Sequence, residues 1–187
     1  MRVRDLIFTV GLCVLTAALA GAACSPAPAP APQADTATAV PAVPTMSAHG
    51  NLAQVMRGIL FPASNVIFAA QATDPATVKA EADPSTSPNP LTSSYGGWEA
   101  VGNAGIALAE SANLLSIPGR LCMNGKPAPS QNADWQKWVE ELRTAGMTAY
   151  KAGQAKSQDA VLEAADVMSV ACSNCHEKYR EVADRCQ

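Results

Sequence analysis

Apolar residues in the middle of the chain recur with helical spacing. Leu52, Val55, Met56, Ile59 and Leu60 follow an i, i+3, i+4 pattern that predicts a helix from near Ser47. Pro62 is expected to kink or interrupt it, with Val66-Ile67-Phe68 carrying the apolar stretch to about Gln71. Asp74-Pro75 reads as a cap and first position of a short helix to Ala82, and the Pro-, Ser- and Gly-rich residues 83–97 read as loop. A second helix is predicted from about Trp98 to Leu115. Its stripe of Gly102, Gly105, Ala109 and Ala112 serves either close helix packing or room for a flat cofactor. After a loop over 116–130, Trp135, Trp138, Val139, Leu142, Gly146, Ala149 and Tyr150 define one face of a third helix beginning near Asn132. Ser157 then caps a fourth, whose inner line runs Val161, Ala165, Met168, Cys172, Cys175, Tyr179 and Val182. No stretch alternates as a strand would. The prediction is an all-α fold, an antiparallel up-down four-helix bundle over residues 46–187. In that arrangement helix four ends where helix one begins and where the loop between helices two and three lies.

The N-terminal segment has a different character. Basic residues Arg2 and Arg4, an apolar run from Leu6 to Ala20 and small residues after it read as an export signal over 1–23. That run is too short for a spanning helix, and no other apolar run is expected to reach membrane length. Residues 24–45, rich in Pro and Ala, cannot bury a core and read as an extended, semi-rigid linker. Cys24 at the end of the signal resembles the lipidated cysteine of a bacterial lipoprotein, although Gly21 stands where that pattern usually has Leu. Lipidation would tether the protein to a membrane surface in the periplasm; ordinary cleavage nearby is the alternative. Formal charge is −3, and loss of Arg2, Arg4 and Asp5 with the signal takes it to −4. This acidic balance speaks against nucleic acid as a partner.

The chemistry is concentrated in Cys172-Ser173-Asn174-Cys175-His176, a C-x-x-C-H run. This is the attachment signature of haem c: two thiols form thioethers to the vinyl groups and the histidine ligates iron. On a helix the three side chains share one face, and the two cysteines continue the core-facing line, so the haem is expected inside the bundle. His176 should lie roughly 15 Å inside the Cys186 end of helix four, and Met56 about 13 Å from the start of helix one. Met56 is therefore the candidate for the second axial position, with core packing on the porphyrin as the alternative. His49, two turns from Met56 on the predicted helix, is a weaker candidate, Met46 lies further out, and Met168 is expected beside the haem. Cys122 and Cys186 remain once Cys13, Cys24 and the haem cysteines are assigned. An oxidising compartment and the shared end of the bundle suggest that they form a disulfide, with free thiols as the alternative. Zinc on Cys172, Cys175, His176 and Cys186 is disfavoured by the adjacent Cys175 and His176 and by the spacing.

With the motif on the last helix of a four-helix bundle, residues 47–187 resemble the class II cytochromes c, the cytochrome c prime family. The specific part is CSNCHEKYR, Cys172 to Arg180. The resemblance implies that Arg180 lies on the proximal side of the haem, one turn beyond His176. It also implies one of two functions. A methionine on the iron goes with electron transfer, which Met56 favours; a five-coordinate iron behind an apolar residue such as Leu52, Val55, Ile59 or Leu60 goes with binding of nitric oxide or carbon monoxide. The expectation is an electron carrier rather than an enzyme, meeting a redox partner protein of unknown identity. Weak peroxidase activity is disfavoured because no distal His/Arg pair is evident. Homodimerisation stays open.

Overall fold

The computed structural model describes residues 45–180 and Cys186. The signal, Cys24 and all of the linker but its last residue lie outside the described residues, as does Val182. Four helices make up the fold: α1 Leu52–Ala72, α2 Gly97–Leu115, α3 Ala133–Ala155 and α4 Gln158–Tyr179. Among the described residues there is no strand, only an isolated bridge between Leu121 and Pro127. The fold is all-α. Helix α2 packs most extensively on α3, α3 also packs on α4, and α1 touches α2 and α4.

Helix α1 departs from the sequence expectation in three ways. It starts at Leu52 rather than near Ser47, because Asn51 forms a reciprocal cap: its Oδ1 accepts from Gln54 N–H at 2.9 Å while Gln54 Oε1 accepts from Asn51 N–H at 2.9 Å. Secondly, the interruption expected at Pro62 falls just before it and takes the form of a π-turn. Met56–Leu60 forms a π-helical turn, with Phe61 N–H bonded to Met56 O, and α-geometry resumes over Phe61–Ala72. The wider turn just before the proline accommodates a residue that lacks the N–H an α-helix would need there. The extra residue also shifts the buried face, which runs Leu52, Val55, Leu60, Ala63, Ser64 and Ile67, so Ile59 is turned outward at 38% exposure. Thirdly, α1 is 21 residues long with a mean hydropathy of 1.3, enough in length and composition to cross a membrane. The proline hid that continuity in the sequence. A third of this apolar stretch is buried, its side chains joining the core shared with α2, α3 and α4, while Phe61 is 63% exposed.

The predicted helix over 74–82 is only a 3-10 turn, Pro75–Thr77, capped by Asp74. Two further turns, Pro84–Thr86 and Pro90–Thr92, punctuate the loop that follows. Helices α2 and α3 meet through the small-residue stripe. A Cβ on Gly105 would fall 2.4 Å from Tyr150 N, one on Gly146 2.6 Å from Ala109 N, and one on Gly153 2.6 Å from Gly102 N. The stripe therefore serves backbone contact between helices, and none of it lines the cavity described below. A two-residue link, Lys156 in the left-handed conformation and Ser157 as N-cap, turns the chain from α3 into α4.

The α2–α3 loop is held by a buried arginine. Arg120 Nε donates to Leu114 O at 2.7 Å and Nη1 to Gly50 O at 2.6 Å, joining the end of α2 to the approach to α1. Leu52 N–H also donates to Leu121 O at 2.8 Å. Both bonds fix the loop against the start of α1.

Candidate functional site

Cys172, Cys175 and His176 occupy one face of the last turns of α4, all half-buried. They line a cavity of about 580 Å³, a size in the range of cofactor pockets. Leu52, Met56 and Leu60 line it from α1, and Trp135, Trp138 and Leu142 from α3. Met56 and the C-x-x-C-H residues thus belong to one cavity, but the depths differ from those expected. Met56 lies four residues into α1 and His176 three residues before the end of α4, about 6 and 5 Å respectively. Both helices are shorter at this end than the sequence suggested, and both side chains still line the one cavity.

Other predicted residues fall elsewhere. His49 precedes α1, is exposed, and has its Nε2 3.3 Å from Ser47 Oγ. Met46 is exposed at 67%. Met168 is fully buried in the core and does not line the cavity. Of the apolar alternatives to Met56, Leu52 and Leu60 line the cavity while Val55 and Ile59 do not. Arg180 lines it, but as the residue after α4 in extended backbone, its N–H bonded to His176 O at 3.0 Å; the helix does not reach it.

The α3 wall is aromatic and held by hydrogen bonds. Tyr179 stacks edge-on against Trp135 and Trp138, with ring centroids 5.1 and 5.7 Å apart. Its hydroxyl donates to Asp134 Oδ1 at 2.9 Å and accepts from Asn132 Nδ2 at 3.1 Å, while Trp135 Nε1 donates to Leu115 O at 3.2 Å. Lys178 pairs with Asp134 from the outside; that bond holds the Asp134 carboxyl below its usual range and raises Lys178. With the polar atoms of Trp135 and Tyr179 partnered, these two rings present apolar surface to the cavity. The permanently charged side chains among the described lining residues are Arg57 and Arg180.

Cys172 and Cys175 are free thiols. Burial raises both, and for Cys175, with the nearby Cys172 and Asp134 adding to the effect, the pKa is pushed up to about 11. At pH 8 the reactive thiolate of Cys175 is then roughly a hundredth of that of an ordinary thiol. Alkylation of Cys175 in the folded, cofactor-free chain is expected to keep accelerating with pH towards 11. A plateau near pH 9 in mass-resolved iodoacetamide labelling would contradict the burial.

Cys122 and Cys186 are joined in a disulfide, Cα–Cα 5.7 Å, across a separation of 64 residues. Closing such a loop contributes on the order of 4 kcal/mol in the chain-entropy account. The bond takes Cys186 out of any zinc set, and among the described residues no three His, Cys, Asp or Glu side chains cluster to hold an ion. It also fastens the α2–α3 loop beside the end of α4, bringing Met123 and Asn124 to the cavity rim. Sequence reading missed Met123, Arg57 and the aromatic wall. The position of Met123 was implicit in the disulfide, since it follows Cys122 directly.

No family model, curated protein or solved structure matches this chain.

Proposed function

We propose that this chain is an exported c-type cytochrome that carries electrons through one covalently bound haem c, held in an antiparallel four-helix bundle resembling the class II cytochromes c. The observation that carries the reading is the shared cavity: two free thiols and a histidine at i, i+3 and i+4 on α4, with a thioether, Met56, on α1. The donor chemistry fits the group. Each thiol can add across a vinyl double bond, sulfur to one carbon and hydrogen to the other, with no oxidant consumed. His176 would offer nitrogen and Met56 sulfur to the iron, a donor pair suited to electron transfer. Arg57 and Arg180 offer cations to the carboxylates at the edge of the macrocycle. Leu52, Leu60 and the Trp135, Trp138 and Tyr179 rings exclude water from its faces. Bound haem supplies an iron that cycles between ferric and ferrous.

In this reading the signal directs export to the periplasm, Cys24 carries a lipid that tethers the protein, and the acidic domain meets a separate redox protein. The purified protein is expected to keep its haem through denaturation and to show a low-spin spectrum with a methionine–iron charge-transfer band that weakens or disappears in Met56→Ala. Absence of covalent haem would sink the proposal. Leu52 and Leu60 beside Met56 support the second reading, a five-coordinate binder of nitric oxide or carbon monoxide. A high-spin spectrum in both oxidation states would select it.

A further inference from the structure

Met56 is not alone at the cavity. Among the described methionines, Met56 and Met123 line it, whereas Met46, Met147 and Met168 do not. Met123 arrives from a different part of the chain, on the loop between α2 and α3, and two contacts outside the loop decide where it sits. Leu121 O accepts from Leu52 N–H at 2.8 Å, which seats it on the first turn of α1. Cys122 is bonded to Cys186, beyond the end of α4. Within the loop, Cys122 N–H donates to Lys126 O at 2.7 Å and Gly125 N–H to Cys122 O at 3.1 Å, with Gly125 at φ +81 making the reversal. The segment is thus a strap fastened to α1 at one side and to the tail of α4 at the other, with Met123 at the rim between them.

The sulfur has a definite side. Arg57 Nη2, one residue after Met56 on α1, lies 3.7 Å from Met123 Sδ and donates to it. The Met123 thioether therefore sits on the α1 side of the cavity with Met56, while His176 comes from α4. The side chain is 56% exposed and unbranched, so it can change rotamer without disturbing a packed core. A thioether is a soft donor that needs no deprotonation.

We infer that Met123 is a second axial sulfur donor of this site, offered by the disulfide-fastened strap and able to take the iron position when Met56 does not. The inference rests on the haem-binding function proposed above. It deepens that function by making the iron's sulfur ligand exchangeable between α1 and the strap, under the control of Cys122–Cys186.

The test uses the haem-loaded full chain, with spectra of the wild type, Met56→Ala, Met123→Ala and the double variant. Covalent haem is measured in each after denaturation. The methionine–iron charge-transfer band and the shifted methionine methyl resonance of the ferrous protein are the ligand readouts. Met56→Ala is expected to retain a methionine-ligated population, Met123→Ala to retain ligation through Met56, and the double variant to lose it. Adding Cys122→Ser/Cys186→Ser to Met56→Ala is expected to abolish the residual band by releasing the strap. If Met56→Ala matches the double variant while both hold covalent haem, the inference is overturned and haem attachment stands. A haem-loaded wild type with no methionine signal overturns it in the same way. A wild type without covalent haem overturns both the inference and the function beneath it.

Discussion

Cys172→Ser/Cys175→Ser is expected to yield a chain carrying no covalently attached haem, with loss of the low-spin spectrum. A serine hydroxyl matches the thiol in size but does not add to a vinyl group under conditions in which a thiol does. The substitution therefore removes the covalent link while keeping a small polar group on the same helix face. His176, Met56 and the aromatic wall would remain, so weak non-covalent binding is the expected residue of function. The measurement is haem retained after denaturation, alongside the visible spectrum of the native protein. Each single substitution should leave one thioether and an intermediate phenotype. Equal covalent haem in the wild type and the double variant would remove the proposed role of both cysteines.

The second large effect is structural and independent of haem. Gly146→Val is expected to destabilise the fold by at least about 3 kcal/mol, the upper part of the overpacking range. Its Cβ would fall 2.6 Å from Ala109 N and 2.8 Å from Gly105 O, both backbone atoms that no rotamer change can move. Relief requires α2 and α3 to separate along their longest contact, which would also open Gly105 and Gly153. Gly58→Ala is the control: a Cβ there meets nothing within 4 Å, so a neutral effect or a gain of up to about 1 kcal/mol is expected. Thermal and urea unfolding of the two variants would decide. A Gly146→Val chain as stable as the wild type would mean that α2 and α3 do not meet as described.

What the sequence disclosed follows from which interactions are local. Helices α2, α3 and α4 are marked by caps, breakers and periodic apolar residues within each segment, and their limits were legible to within a residue or a few. The fourth helix was legible through the motif to Tyr179, the last residue of α4; Val182 lies outside the described residues. Helix α1 was harder. Asn51 competes with Ser47 as a cap, and its advantage lies in reciprocity with Gln54, which a single-position scan does not weigh. The π-turn was not legible at all, because an α-periodic reading of Leu52 to Leu60 has no place for an extra residue and therefore turned Ile59 inward. Cys172, Cys175 and His176 needed only spacing. Met56 needed the relative placement of two helices, which no single segment encodes; the shared cavity shows that α1 and α4 bring it to the same space as His176. Met123 depended on a contact between segments 64 residues apart, joined through Cys122 and Cys186. Arg57 joined the rim only through the register shift that places it beside Met123.

The half-buried state of the two thiols bears on the order in which the protein is made. Folded, Cys172 and Cys175 face a cavity walled by α1 and α3, and burial keeps them largely protonated. Anything that modifies them competes with closure of the helices around them. On the haem-binding function proposed above, attachment at these thiols is expected before α1 and α3 settle against α4. On that function, folding and haem attachment would compete for the same two side chains of α4.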